Sequence, residues 1–282
     1  MYSEELLRIG SRKLKKCKIN TSRLDSEILL SNLTGKSREF LIINPSFKIK
    51  NSHVKDFNKL ITKRGISKEP IAYIIKQKDF WKSQFYVDKN ALIPRPETEI
   101  LIEKLTLIFK NKKPFILDVG TGSGCIITSL FEELKYSKGV AIDVSSKALK
   151  IAKKNAFTNK TIDRIKFINV SIDKLHHYKF DLIVSNPPYI ARHQLKNLSA
   201  DIKYFEPKIA LDGGNDGLDV IKKVIYKSRS ILKINGVLAL EIGFGQYKSV
   251  SQILKFFKFR EKCIIKDYQN NIRCILSVMK NN

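Results

Sequence analysis

The chain has 282 residues, 43% of them hydrophobic, and a formal net charge of +26. That length accommodates one large domain and one small one, each with a core. No stretch approaches the ~20 apolar residues of a membrane span. The polar, basic opening lacks the ~7–15-residue apolar run of a secretion signal, so a cytoplasmic location is expected.

Residues 1 to about 75 read as helical. Leu6, Leu7 and Ile9, then Leu24, Ile28, Leu29, Leu30 and Leu33, recur at helical spacing. Asn20-Thr21-Ser22 offers an N-cap for the second helix and Gly35 a stop after it. Phe57, Leu60 and Ile61 suggest a further helix. This segment has neither a glycine-rich phosphate loop nor a carboxylate cluster, which suits a small bundle used for recognition or support. From Phe80 to Ile93 the pattern changes to short apolar runs, with turn-like Asp88-Lys89-Asn90 between Phe85-Tyr86-Val87 and Ala91-Leu92-Ile93. A β-hairpin turning at 88–90 is the expectation. Pro94 and Pro96 then end the extended stretch, and Glu97-Thr98-Glu99 opens a helix through Phe109.

After Pro114 strands and helices alternate. Strands are expected at 115–119, 139–143, 165–169, 180–185 and 236–242, and helices at 125–134, 146–157 and 220–232. Two last strands, 262–266 and 272–279, flank Asp267-Tyr268-Gln269-Asn270-Asn271 and read as an antiparallel addition. The class is α/β, a doubly wound, mostly parallel sheet of seven strands.

Cys17, Cys125, Cys263 and Cys274 form no C-x-x-C pair, and His53, His176, His177 and His193 show no metal-ligand spacing. Reduced thiols and no metal are expected. The positive charge favours encounter with acidic surfaces. It is spread along the whole chain among many isoleucines and asparagines, which equally fits a general compositional bias.

Two loops carry the chemistry. Asp118-Val119-Gly120-Thr121-Gly122-Ser123-Gly124 joins the first strand of the alternating region to its helix. Its G-x-G-x-G spacing is neither the dinucleotide fingerprint nor the phosphate loop. Asp143 ends the next strand, where a carboxylate can accept hydrogen bonds from ribose hydroxyls. A ligand with a ribose and no pyrophosphate fits both, and S-adenosyl-L-methionine is such a ligand. The strand 180–185 then runs into Asn186-Pro187-Pro188-Tyr189. Two prolines fix φ and remove two N–H donors, which stiffens the loop. The Asn186 side-chain oxygen and the Pro187 carbonyl can each accept one hydrogen of a planar NH₂ group, while Tyr189 packs on it. Orientation and polarisation of that nitrogen toward a sulfonium methyl require no metal and no covalent intermediate.

With these residues in view the chain resembles the HemK/PrmC-type release-factor glutamine N5-methyltransferases. The resemblance covers nearly the whole chain: Ile93-Pro94-Arg95-Pro96-Glu97-Thr98-Glu99, Asp118 to Cys125, Asn186 to Ile190, Glu206-Pro207, Gly213 to Leu218, Leu240-Glu241-Ile242-Gly243 with Gln246, and Arg23 to Leu30 with Ala72-Tyr73-Ile74. It implies a Rossmann-like methyltransferase domain at 96–282, a hairpin linker at 79–95 and a helical substrate-recognition domain at 1–78. It implies methyl transfer from S-adenosyl-L-methionine, leaving S-adenosyl-L-homocysteine, to the glutamine of the Gly-Gly-Gln motif in class-1 peptide chain release factors. Gly120, Thr121, Gly122, Ser123, Gly124, Asp143, Ile172 and Asn186 would hold the cofactor. Asn186, Pro187, Pro188 and Tyr189 would hold the substrate, with Asn186, Pro187 and Tyr189 catalytic. Nucleic acid is not required, and a monomer is the default expectation. The rival substrates are a glutamine of a ribosomal protein and an amino group of a nucleic acid. Three positions depart from the family: Ser171-Ile172 replaces an acidic residue and an aromatic near the adenine, Lys76 replaces a glycine, and Asn270-Asn271 occupies a turn where glycine is common.

Overall fold

The computed structural model describes residues 1–279, and the chain divides into two compact units. The first comprises Met1–Gln77 together with Ser199–Phe205. It contains α1 (Ser3–Lys16), α2 (Ser22–Thr34), α3 (Arg38–Ile43), α4 (Asn51–Thr62) and α5 (Ile71–Ile75). Leu6, Leu7, Leu29, Leu30 and Phe57, which the helical spacing singled out, are fully buried in its core together with Leu41, whereas Leu24 is exposed. The acidic and basic residues of α2 tie this bundle together. Arg23 bridges Glu4 and Glu27, Arg38 also reaches Glu27, and Asp25 pairs with Arg64 at 2.6 Å.

The second unit comprises Lys78–Leu198 and Glu206–Asn282. A two-stranded sheet of β1 (Gln77–Phe80) and β2 (Ser83–Tyr86) stands at its start, with Gln77 counted in the first unit. This corrects the expected hairpin. The chain reverses at Trp81-Lys82, with Trp81 at φ 55°, and Ala91–Ile93 joins no strand. Tertiary bonds decide the turn: the Trp81 N–H donates to Glu99 and its indole to Glu133. Asp88 does make the local turn its residue type suggested, accepting from the Asn90 N–H at 2.8 Å, but that turn leads into coil.

There follow α6 (Glu99–Phe109), β3 (Phe115–Val119), α7 (Cys125–Glu133), β4 (Lys138–Asp143), α8 (Ser146–Thr158), β5 (Ile165–Asn169) and β6 (Phe180–Ser185). The order of elements continues with α9 (Ala200–Phe205), which clusters with the first unit, then α10 (Asp219–Ile231), β7 (Leu232–Glu241), α11 (Tyr247–Phe256), β8 (Phe259–Lys266) and β9 (Ile272–Met279). The sheet order is β5-β4-β3-β6-β7-β9-β8, parallel as far as β7 and antiparallel beyond. The seven-stranded, doubly wound α/β sheet is therefore as expected. Alternate residues feed two cores: Ile116, Leu182, Val184 and Ala239 belong to one, Leu117, Ile183, Leu238 and Leu240 to the other. Both faces being covered, the central strands are nearly continuous apolar runs.

Four elements from α9 onward differ from the sequence reading. α9 has no counterpart in it, and β8 starts three residues earlier than expected. β7 starts four residues earlier than expected, through an irregular register beside Phe180. α11 was not anticipated at all, because only Val250, Ser251 and Leu254 of its ten residues are buried. The chain order runs outward from β3 through β4 to β5, then returns to β6 on the other side of β3. The carboxyl end of β3 thus stands at the reversal of winding, where open α/β sheets form a crevice.

Candidate active site

A cavity of about 330 Å³ opens at that crevice, within the second unit, a size usual for small-molecule sites. Three strand ends supply its lining. Val119, Gly120 and Gly122 come from the loop after β3, Ile142 and Asp143 from the end of β4, and Asn186 and Pro188 from the loop after β6.

The loop after β3 is held through its backbone N–H groups, mostly by acceptors on β4. The N–H groups of Gly120 and Thr121 both donate to the Ile142 carbonyl, and Gly124 donates to Thr121. The Gly122 N–H donates to Asp143 Oδ2 at 2.9 Å, and Ser145 donates to Oδ1 at 2.8 Å. These donors are already engaged, so the loop is not built as the open nest of N–H groups that cradles a phosphate. It is built to leave room. Gly120 has φ +69° and nothing within 4 Å of a Cβ placed there. Gly122 has φ +57° with only the Gly120 carbonyl near, at 3.9 Å. Side chains at these positions would be strained and would fill the space beside the cavity.

Asp143 is fixed by its two N–H donors and faces the cavity with its remaining lone pairs. Burial raises its pKa, against the pull of the Ser145 and Gly122 bonds. Asp118 lies deeper. It accepts from Thr121 Oγ1 at 2.6 Å, and burial pushes its carboxyl up to about 7. Thr121, Ser123 and Gly124 do not line the cavity. Thr121 serves Asp118, the Ser123 carbonyl accepts from the Asn155 amide at 2.8 Å, and Gly124 packs on Ala152 where a Cβ would meet atoms at 3.0 Å. The apolar wall comes from Val144, Ala148, Val170, Ile172, Val220 and Val224, with Ser171 beside them. Ile172 is thus one of the residues that line the cavity.

Asn186 sits where this cavity meets the end of β6. Its Nδ2 donates to Thr98 Oγ1 at 3.2 Å, and Thr98 Oγ1 donates to Glu241 Oε2 at 2.6 Å. Pro187 is buried and Pro188 half-buried. Tyr189 is half-buried, and its phenol is pushed up to about 12, first by burial and then by the Glu241 charge. The backbone of this loop is clamped from behind. Gln246 Nε2 donates to the Tyr189 carbonyl at 2.9 Å while its Oε1 accepts from the Gly243 N–H. Ile190 and Gly213 exchange backbone bonds with the same strip, and a Cβ at Gly213 or Gly217 would stand 2.8 Å from the Pro188 carbonyl or 2.4 Å from the Tyr189 carbonyl.

Sequence reasoning therefore found Gly120, Gly122, Asp143, Ile172, Asn186 and Pro188, which the fold brings to one cavity. It gave no role to Asn90, Ala91 and Leu92 in the lining, nor to Lys223, the cation among the lining residues. Thr98 and Glu241 were named only as parts of motifs. Their joint signal is weak in sequence because they lie 143 residues apart. Among the described residues no group of three or more His, Cys, Asp and Glu is placed to hold a metal ion, and no helix is long and apolar enough to cross a membrane.

Residues 5–75 match the family described as PrmC N-terminal domain, and residues 96–203 the one described as methyltransferase small domain. A bifunctional methyltransferase of Rickettsia typhi is 36% identical over 96% of this chain, which spans 56%, about half, of that relative's length. A release factor glutamine methyltransferase of Clostridium acetobutylicum is 39% identical, with 90% of each chain covered. A solved methyltransferase structure from Pyrococcus furiosus superposes with a TM-score of 0.51 at 18% identity, over 81% of this chain and 99% of that one. At that identity the likeness is one of fold, and the sheet is of the Rossmann-like methyltransferase type.

Proposed function

We propose that this chain, which belongs to the release factor glutamine methyltransferase family, methylates the side-chain amide nitrogen (N5) of the glutamine in the Gly-Gly-Gln motif of class-1 peptide chain release factors, with S-adenosyl-L-methionine as methyl donor and modulation of translation termination as the consequence. The observation that carries this reading is the position of Asn186, on the wall of a cavity that also presents Asp143 and a glycine loop whose Gly120, Thr121, Gly122 and Gly124 N–H groups are already engaged.

The residues present fit that cofactor. The Asp143 carboxylate would accept from the ribose hydroxyls, Gly120 and Gly122 leave room beside the cavity, and the apolar Ile172, Val144 and Val224 of its lining would hold the adenine. When bound, the cofactor supplies a methyl group on a sulfonium, a good leaving group. The protein's task is to orient the attacking nitrogen and exclude water. Asn186 Oδ1 accepts one N–H of the substrate amide and the Pro187 carbonyl accepts the other, so the nitrogen faces the methyl group and gains electron density. Tyr189 packs against the amide plane. The methylated nitrogen would give up one proton to water, which leaves a neutral secondary amide. The helical region 1–78 would bind the protein substrate, the hairpin region 79–95 would link it, and 96–282 would carry the chemistry.

The test is mass spectrometry of the Gly-Gly-Gln peptide of a purified release factor, after incubation with this protein and S-adenosyl-L-methionine. One added methyl group on the glutamine is expected. The Asn186→Ala variant should lose on the order of 10²-fold in turnover while keeping its fold, since it removes a positioned acceptor. No methyl gain from protein shown to bind the cofactor would move the assignment to a ribosomal-protein glutamine or a nucleic-acid amino group.

A further inference from the structure

Asn186 can serve as described only if its oxygen, and not its nitrogen, meets the substrate. An amide side chain has two ends of nearly equal shape, and the surrounding hydrogen bonds decide which way it points. Here Asn186 Nδ2 lies 3.2 Å from Thr98 Oγ1. That hydroxyl has one hydrogen, and it is committed elsewhere, to Glu241 Oε2 at 2.6 Å. Toward Asn186 the hydroxyl therefore acts as an acceptor, and an acceptor selects the NH₂ end.

Glu241 is an unusual residue to find at this place. It is wholly buried on β7, and its Oε1 has no hydrogen-bond partner. Burying a carboxylate with an unmatched oxygen is costly, and the fold alone gives no reason for it. An ionised carboxylate, however, accepts hydrogen bonds and never donates them. Placed behind Thr98, it imposes a single direction on the chain of bonds.

We propose that Thr98 and Glu241 are positioning residues that set which end of the Asn186 amide is presented to the substrate; this rests on the methyl-transfer function proposed above.

The arrangement has a pH consequence. Burial raises the Glu241 carboxyl to about 7, against the pull of the Thr98 bond, the Arg273 charge and the nearby Asn186 amide, while Glu97 adds to the rise; the Asn186 NH₂ end is thus drawn toward the carboxylate directly as well as through Thr98. Tyr189, Cys125 and Cys274 also feel the Glu241 charge. Above that range Glu241 is ionised and accepts from Thr98. Below it, the protonated carboxyl can donate to Thr98, whose own hydrogen is then free to meet Asn186 Oδ1. The reversed chain of bonds admits the wrong end of the amide. Turnover should therefore fall as pH drops through about 7.

The experiment compares wild type with Thr98→Val, Thr98→Ser and Glu241→Gln, each first shown by calorimetry to bind S-adenosyl-L-methionine. Turnover on the Gly-Gly-Gln peptide is then followed from about pH 6 to 9, and the Asn186 side-chain NH₂ signals are recorded by ¹⁵N NMR. Thr98→Val should lower kcat on the order of 10²-fold with cofactor affinity little changed, and should shift the Asn186 signals. Thr98→Ser should restore most of the rate. Glu241→Gln should lower kcat and abolish the inflection near pH 7. Wild-type kcat in Thr98→Val, or an unmoved inflection in Glu241→Gln, would overturn the inference. Should Thr98→Val fail to fold, the pH profile of Glu241→Gln decides. A wild-type protein that binds cofactor but methylates no peptide would refute the substrate assignment instead. The NMR comparison then judges the present inference, and unshifted Asn186 signals in Thr98→Val would overturn it.

Discussion

Single side chains hold the site more by what lies behind them than by what faces the cavity. Asp143 is the exception, visible in the sequence because an acidic residue at the end of the second strand has a direct chemical use. Asp143→Ala should weaken cofactor binding by about 1.5–3 kcal/mol, the range for hydrogen bonds to a charged group, and titration calorimetry would measure it. An unchanged affinity would show the ribose assignment to be wrong. Asn155 is the opposite case. Nothing in its neighbourhood marks it, yet its amide accepts from the Tyr86 N–H at 2.7 Å and donates to the carbonyls of Tyr86 and Ser123. One buried side chain on α8 thus ties β2 to the glycine loop. Asn155→Ala should cost about 3 kcal/mol, since it strands buried polar groups, and chemical denaturation would report the loss. No local pattern exposes Asn155, because its partners lie 32 and 69 residues away.

At the scale of elements, the strands of the parallel sheet were legible because each is buried on both faces and reads as an apolar run. The hairpin was legible as a hairpin but not in its register. Local turn chemistry favoured Asp88-Lys89-Asn90, and the tertiary bonds of Trp81 prevailed. α11 escaped notice because a helix that buries so few residues leaves little periodic signal. Departures from the family pattern also become physical here. Lys76 caps α5 at φ 56° and Asn270 turns at φ 66°, both in the left-handed region that glycine occupies without strain. Asparagine tolerates that conformation better than lysine does. Lys76→Gly should therefore raise stability by roughly 1 kcal/mol, the side-chain strain relieved less the backbone entropy lost. A denaturation midpoint that falls would contradict this account.

At the scale of the whole molecule, two features stand out: an internally paired helical unit and a large excess of positive charge. In the helical unit the buried Asp25 pairs at 2.6 Å with the half-buried Arg64, and Asp25→Ala, which leaves the guanidinium without its counter-charge, should destabilise by about 3 kcal/mol. The 53 Lys and Arg against 27 Asp and Glu give the +26. If that charge steers an acidic partner, association should slow about tenfold as ionic strength rises from about 0.02 to 0.2 M, measurable by stopped-flow mixing. A flat dependence would assign the charge to composition alone. The sequence by itself determined the sheet class, the order of the seven sheet strands along the chain and the two loops that the fold brings to the cavity. Burial pattern, glycine spacing and proline stiffness are local properties, and each was written within a few adjacent residues. Only the tertiary structure decided the hairpin register, the bracing of the glycine loop by Asn155, and the placement of Thr98 and Glu241 behind Asn186. Those depend on hydrogen bonds between residues 18 to 143 positions apart, and such pairings exist only once packing has brought the partners together.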